Sequence, residues 1–77
     1  MNIPGNSFIT LVEYPEPDKI RVTWQSIDGP GTATMIYTTE AEAERVHAIV
    51  KEQHDLVRET PPGERAEALR ALAKARL

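Results

Sequence analysis

Apolar and polar positions alternate with two different periods along this chain, and the change of period separates a sheet-forming half from a helical half. In "KIRVTWQSI" (19–27), Ile20, Val22 and Trp24 point one way, while Lys19, Arg21, Thr23 and Gln25 point the other. A period of two with one wet face predicts an antiparallel strand covered on one side. "TATMIYT" (32–38) repeats the alternation: Ala33, Met35 and Tyr37 join the core face, leaving Thr32, Thr34, Ile36 and Thr38 outside. "SFITLVEY" (7–14) is rich in β-branched and aromatic residues and predicts another strand. Both of its faces are apolar, with Phe8, Val12 and Tyr14 on one and Ile9 and Leu11 on the other. "PEPD" (15–18) stops it, because its two prolines cannot donate to a ladder and favour a turn. Neighbours in sequence usually pair, so the three strands are expected to form a meander.

From Thr39 the period becomes helical. Ala43, Val46, Ile49, Val50, Leu56 and Val57 form one stripe. Thr39 can cap this helix, with Glu42 three residues on completing a capping box, and Glu40, Glu42 and Glu44 suit the positive end of the dipole. "TPPG" (60–63) ends it, because two prolines cannot continue a helix. A shorter helix is expected in the Ala-rich "GERAEALRALAKARL", with Leu69, Leu72 and Leu77. Residues 1–6, with Pro4 and Gly5, carry no pattern and read as a loose lead-in. The prediction is one α+β domain over residues 1–77: a three-stranded antiparallel meander, a long helix, and a short C-terminal helix within 61–77.

"SIDGPGTAT" (26–34) poses the choice between a phosphate cradle and a hairpin turn. A P-loop needs G-x-x-x-x-G-K-[ST] leading from a strand into a helix. Here Gly29 and Gly31 flank Pro30, no Lys follows, and the next segment is a strand. Asp28-Gly29 between two alternating runs signals a hairpin, and Pro30 removes an N–H that would hold a phosphate. The stretch reads as a turn.

Size then raises the question of support. A chain of 77 residues lies near the lower limit for a self-sufficient core. Such chains usually add a disulfide, a metal or a partner chain. There is no Cys, which rules out disulfides and thiolate metal sites and leaves a partner chain open. The helix expected over 39–59 is about 30 Å long, while a seven-residue strand spans only about 23 Å. Leu56 and Val57 therefore lie toward an overhanging end that something must cover. Either the second helix folds back over them, or two chains pair their long helices. Gln53 interrupts the stripe as polar residues that set register in helix pairs do, although it also suits a boundary position reaching solvent. The chain is expected to be a homodimer, with Ile49, Gln53, Leu56 and Val57 as the self-association surface.

Charge and motifs narrow the function. The formal net charge is −3, without the basic surplus of a general nucleic-acid binder. No apolar run approaches the roughly 18 residues of a membrane span, and "MNIPGNSF" lacks the features of a signal peptide, so a cytoplasmic location is expected. His47 and His54 lie two helical turns, or about 10 Å, apart, too far for one zinc ion with bonds of about 2 Å. Glu40, Glu42 and Glu44 diverge around a helix and do not converge on a cation. No Ser sits in G-x-S-x-G, and no nucleophile has an obvious base beside it. No catalytic, cofactor or metal site is expected.

The sheet's outer face is the remaining candidate. Arg21, Thr23 and Gln25 would lie beside Thr34 and Ile36, and Ile9 and Leu11 would extend the face with apolar area suited to docking. The expected function is a non-enzymatic protein–protein binding module, an adaptor or modulator. Its partner is not identified.

A Trp-bearing strand, a "DG" turn, a third strand and then "YTTEAEAERV" resemble the three-stranded-sheet-plus-helix domain at the N-terminus of phage-type tyrosine integrases, over roughly residues 19–52. Those domains resemble AP2-type DNA-binding domains, and the resemblance implies a sheet laid in the major groove. This chain departs from the family in having only Lys19 and Arg21 as basic residues in its second and third strands. Phosphate contacts dominate affinity for DNA, so a DNA-binding accessory role stands as the alternative.

Overall fold

The alternation on the central strand builds the core. The computed structural model describes residues 3–75, with β1 (Ser7–Glu16), β2 (Lys19–Ser26) and β3 (Thr32–Tyr37) in one antiparallel sheet of order β1-β2-β3. The helix α1 (Glu40–Glu59), a 3₁₀ turn (Pro62–Glu64) and α2 (Arg65–Ala75) follow, giving the expected α+β meander and two helices. Leu77, assigned above to the second helix, lies outside the described residues, as do Met1 and Asn2 of the lead-in. Ile20, Val22 and Trp24 of β2 meet Tyr37 of β3 and Val46 and Ile49 of α1. Trp24, Val22 and Val46 are fully buried, and each contributes about 1.5–3 kcal/mol by leaving water.

β1 departs from simple alternation. Ile9 pairs with Trp24 but Leu11 pairs with Thr23, so Thr10 is an extra residue on β1. This β-bulge shifts the parity of the strand. Ile9 and Val12 therefore both face the helix and pack on the core, and only Leu11 and Glu13 continue the outer face. Ile9 consequently leaves the predicted outer face.

α1 starts at its predicted cap. The Thr39 hydroxyl oxygen accepts from the Glu42 N–H at 3.2 Å and donates to the Glu42 carboxylate at 2.8 Å. This reciprocal pairing satisfies one of the helix's free N–H groups. At the other end, the Thr60 hydroxyl donates to the Leu56 carbonyl at 2.6 Å. Arg65 Nε donates to the carbonyls of Val57 and Thr60, at 2.8 and 3.0 Å. One arginine thus caps α1 and fixes the turn into α2. α2 then folds back against α1 and β1 within the same chain, where Leu69 shares a recess with Val50 and Val57.

This arrangement corrects the expected self-association surface. Ile49 is 3% exposed inside the core, Gln53 is buried, and Leu56 and Val57 are half-buried. The overhanging end is covered in cis. Residues 3–6 are also better held than a loose lead-in. Ile3 packs on the core, the Asn6 carbonyl accepts from the Ile27 N–H at 2.9 Å, and the Ser7 hydroxyl donates to the Pro4 carbonyl at 2.9 Å. Asn6 makes the bend with φ 55°, a left-handed conformation that asparagine tolerates.

The β2–β3 hairpin forms where expected, with a wider turn. The Ser26 N–H donates to the Gly31 carbonyl at 2.8 Å, closing a loop over residues 27–30. No described glycine has positive φ, so Asp28-Gly29 does not form a tight primed turn. The buried side chain of Ile27 anchors the loop instead.

Candidate functional site

α1 lies on the other side of the sheet and α2 borders the outer face only at its Phe8–Gln25 end, so the rest of that face is left open. The face consists of three cross-strand rows. Glu13, Arg21 and Ile36 form one, Leu11, Thr23 and Thr34 the next, and Phe8, Gln25 and Thr32 the third. Leu11 is 50% and Ile36 48% exposed, unusually so for large apolar residues at the middle of strands. Of the predicted face residues, Leu11, Arg21, Thr23, Gln25, Thr34 and Ile36 come together here, and Ile9 does not.

The two charged members of this face are bonded to each other. Arg21 Nε and Nη2 donate to the two carboxylate oxygens of Glu13, at 3.1 and 3.0 Å. This fork-on-fork geometry is the strong form of an arginine–carboxylate pair. The hydrogen bond from Arg21, reinforced by its charge, holds the Glu13 carboxyl below its usual range; the guanidinium is raised in turn. Gln25 Nε2 donates to the Gly29 carbonyl at 3.2 Å and so fastens the hairpin loop. The Thr10 hydroxyl donates to the Thr23 carbonyl at 3.3 Å, beside the bulge. The centre of the face is thus neutral and its charged pair self-compensated, with apolar exposure toward both edges. Such a surface suits a protein contact better than a phosphate backbone.

Two contacts lie beyond what the sequence pattern records. Gln53 uses its side-chain amide as a strand would: Oε1 accepts from the Ile9 N–H at 3.0 Å and Nε2 donates to the Ile9 carbonyl at 3.1 Å. On the helix side, Tyr14 and His47 stack with ring centroids 6.1 Å apart, and the Tyr14 hydroxyl lies 3.1 Å from His47 Nε2. The pair borders an open groove of about 410 Å³ with Lys19, Tyr37 and Thr39. Lys19 is engaged by Glu16 at 2.7 Å, and Asp18 and Glu40 also line the groove. The available signal was Tyr14 alternating with Val12, and His47 lying next to Val46 on the edge of the stripe.

Among the described residues, no group of three or more His, Asp or Glu could hold a metal ion, and no helix is long and apolar enough to cross a membrane. Comparison with protein-family models, curated proteins and solved structures finds no match.

Proposed function

We propose that this chain is a non-enzymatic protein–protein binding module, an adaptor or modulator that works as a homodimer and takes its partner on the outer face of the sheet. The observation that supports this reading is a neutral three-stranded face, bordered by α2 only at its Phe8–Gln25 end, with Leu11 and Ile36 about half exposed. Removing such side chains from water on docking contributes about 25 cal/mol per Å² of apolar area. The DNA-binding alternative is weakened by the Arg21–Glu13 pair, because the arginine that would meet a phosphate already holds a carboxylate in both arms.

A photoreactive amino acid placed at Thr23, at the centre of the face, tests the reading in the expressing cell. The expected result is a covalent adduct to one protein that is lost on Leu11→Asp and absent when the probe sits at Lys51 on the far side of α1. Equal labelling at both positions would overturn the reading. So would retention of duplex DNA that weakens with salt and disappears in Arg21→Ala, which would install the alternative.

A further inference from the structure

The bond from the Ser26 N–H to the Gly31 carbonyl sets the phase of the whole β2–β3 ladder. In an antiparallel pair, bonded and non-bonded residue pairs alternate. Ser26 and Gly31 are a bonded pair, so Trp24–Ala33, Val22–Met35 and Ile20–Tyr37 are bonded too. Thr32, Thr34 and Ile36 are then the residues whose N–H and C=O groups face away from β2, along the free edge of the sheet. Among the described residues, nothing pairs with that edge.

We propose that β3 pairs antiparallel with β3 of a second copy of this chain, with Thr34 on the two-fold axis, to make a continuous six-stranded sheet. The proposal deepens the preceding reading by saying how its homodimer forms, and rests on it only for the existence of a dimer. It replaces the helical surface that the fold has used up in cis.

Three features favour a second copy as the occupant. The first is spacing. The outward-facing residues lie symmetrically about Thr34, so an axis there makes Thr34–Thr34 one bonded pair and Thr32–Ile36 two more. Centring the axis on Ala33 or Met35 keeps only two bonded pairs, so one register stands above its neighbours.

The second is charge. From Gly29 through Thr39 the chain carries no charged residue, although the whole chain carries −3. Two copies can therefore approach at this edge with no like charges directly opposed. Natural edges are commonly blunted by lysine, proline or a bulge, and β3 has none of them within Thr32–Tyr37.

The third is the fit of side chains. Ala33 lies on the helix side opposite Trp24, yet it is exposed. In the Thr34-centred register it stands opposite Met35 of the second copy as a close non-bonded pair. On the outer face, exposed Ile36 stands opposite Thr32 of the second copy, a β-branched pairing that suits antiparallel strands. The two outer faces then join edge to edge. Pairing of six residues alone falls short of the roughly 1,200–2,000 Å² of a stable interface, so the dimer is expected to have a dissociation constant of roughly micromolar or weaker.

The chain contains no Cys, so single-thiol variants report position without background. Oxidation of Thr34→Cys at about 100 μM is expected to give a disulfide-linked dimer, because bonded antiparallel neighbours lie about 5.5 Å apart at Cα, within disulfide reach. Thr32→Cys and Ile36→Cys alone are expected to stay monomeric, each lying roughly 13 Å from its own copy, whereas their mixture crosslinks. Thr34→Lys is expected to sediment as a folded monomer with unchanged circular dichroism. Wild type that sediments as a monomer at every concentration up to about 1 mM, or equal crosslinking at positions 32, 34 and 36, overturns the proposal. A monomer that still gives the partner adduct at Thr23 removes the edge pairing and leaves the docking face; a Thr34-centred dimer with no adduct does the reverse.

Discussion

Along β1, the N–H and C=O of Ile9 that face away from β2 are taken up by the side-chain amide of Gln53, at 3.0 and 3.1 Å. Along β3, the corresponding groups of Thr32, Thr34 and Ile36 meet no described partner. The contrast extends to every other feature of the two edges. β1 is broken by a bulge at Thr10 and a second irregularity between Glu13 and Glu16, contains Pro15, and has α2 packed beside its start. β3 is short, regular in register, uncharged and bare. A chain this small has one long helix to distribute, and the C-terminal half of α1 reaches β1 through Gln53. The protected edge is the one within reach of Gln53, and the other is open to pairing with another strand.

The largest expected effect comes from Ile9→Asp. Ile9 packs on the core from β1, and its backbone carries both Gln53 bonds. A carboxylate there is set against the core without a partner, and we expect a loss of about 3–5 kcal/mol, enough to abolish the cooperative unfolding transition of a domain this small. Urea titration followed by circular dichroism checks this. Leu11→Asp, just past the bulge on the outer face, should cost far less; equal losses would mean that the bulge does not turn Ile9 inward and Leu11 outward.

Gln53→Leu comes next. It keeps much of the side-chain volume but leaves the Ile9 N–H and C=O without their partner, which costs about 1–3 kcal/mol. It should also open the β1 edge. In amide hydrogen exchange, wild-type Ile9 is expected to be protected, and in Gln53→Leu that protection should fall at least tenfold while Val22 changes less. If Ile9 exchanges equally slowly in both, Gln53 is not what seals this edge.

How far all this could be read from the sequence follows from what side chains encode. The order of elements was legible because Ile20–Val22–Trp24 and Val46–Ile49–Val50 repeat with unambiguous periods. Thr39 and Glu42 marked the helix start equally well. The parity of β1 was not legible, because an apolar run with Phe8, Ile9, Leu11 and Val12 offers candidates for both faces, and Thr10 is a natural strand residue that gives no sign of being extra. Six of the seven residues assigned to the outer face lie on it, and Ile9, the one whose side depended on that parity, does not. Gln53 was visible as an interruption of the stripe, but its partner is backbone 44 residues away, which no local pattern records. The direction of the β3 ladder groups was invisible too, since it depends on hydrogen-bond phase and not on side-chain identity.

Exchange on β3 sharpens the contrast at smaller energy. At low micromolar concentration, the amides of Ala33, Met35 and Tyr37 should be protected, and those of Thr32, Thr34 and Ile36 should exchange near the rate of unstructured chain. Raising the concentration should slow only the second set if the strands pair as proposed. Thr34→Lys should change monomer stability by no more than about 0.5 kcal/mol, because its side chain is exposed and away from the core. A larger loss would show that Thr34 supports the monomer itself.

The smallest effect concerns Glu13 and Arg21, which join β1 to β2 on the outer face, and it appears only as pH dependence. Glu13 is held below its ordinary value of 4.5 chiefly by the hydrogen bond from Arg21. A carboxyl whose value is lower in the folded state adds stability above its unfolded value, and that stability drains away as pH falls through the folded one. The wild-type urea midpoint should therefore hold above pH 4.5 and decline below it. Part of that decline belongs to Asp55, lowered by its bond from Lys51 and by the charges of Lys51, Arg58 and His54, so the clean comparison is Glu13→Gln against wild type over the same range. Glu13→Gln should start lower and fall less steeply, and added salt should narrow the difference because both partners are partly exposed. Parallel declines would mean that the Arg21–Glu13 pair adds nothing to the β1–β2 join, leaving Gln53 and the bulge as what distinguishes this edge from the bare one.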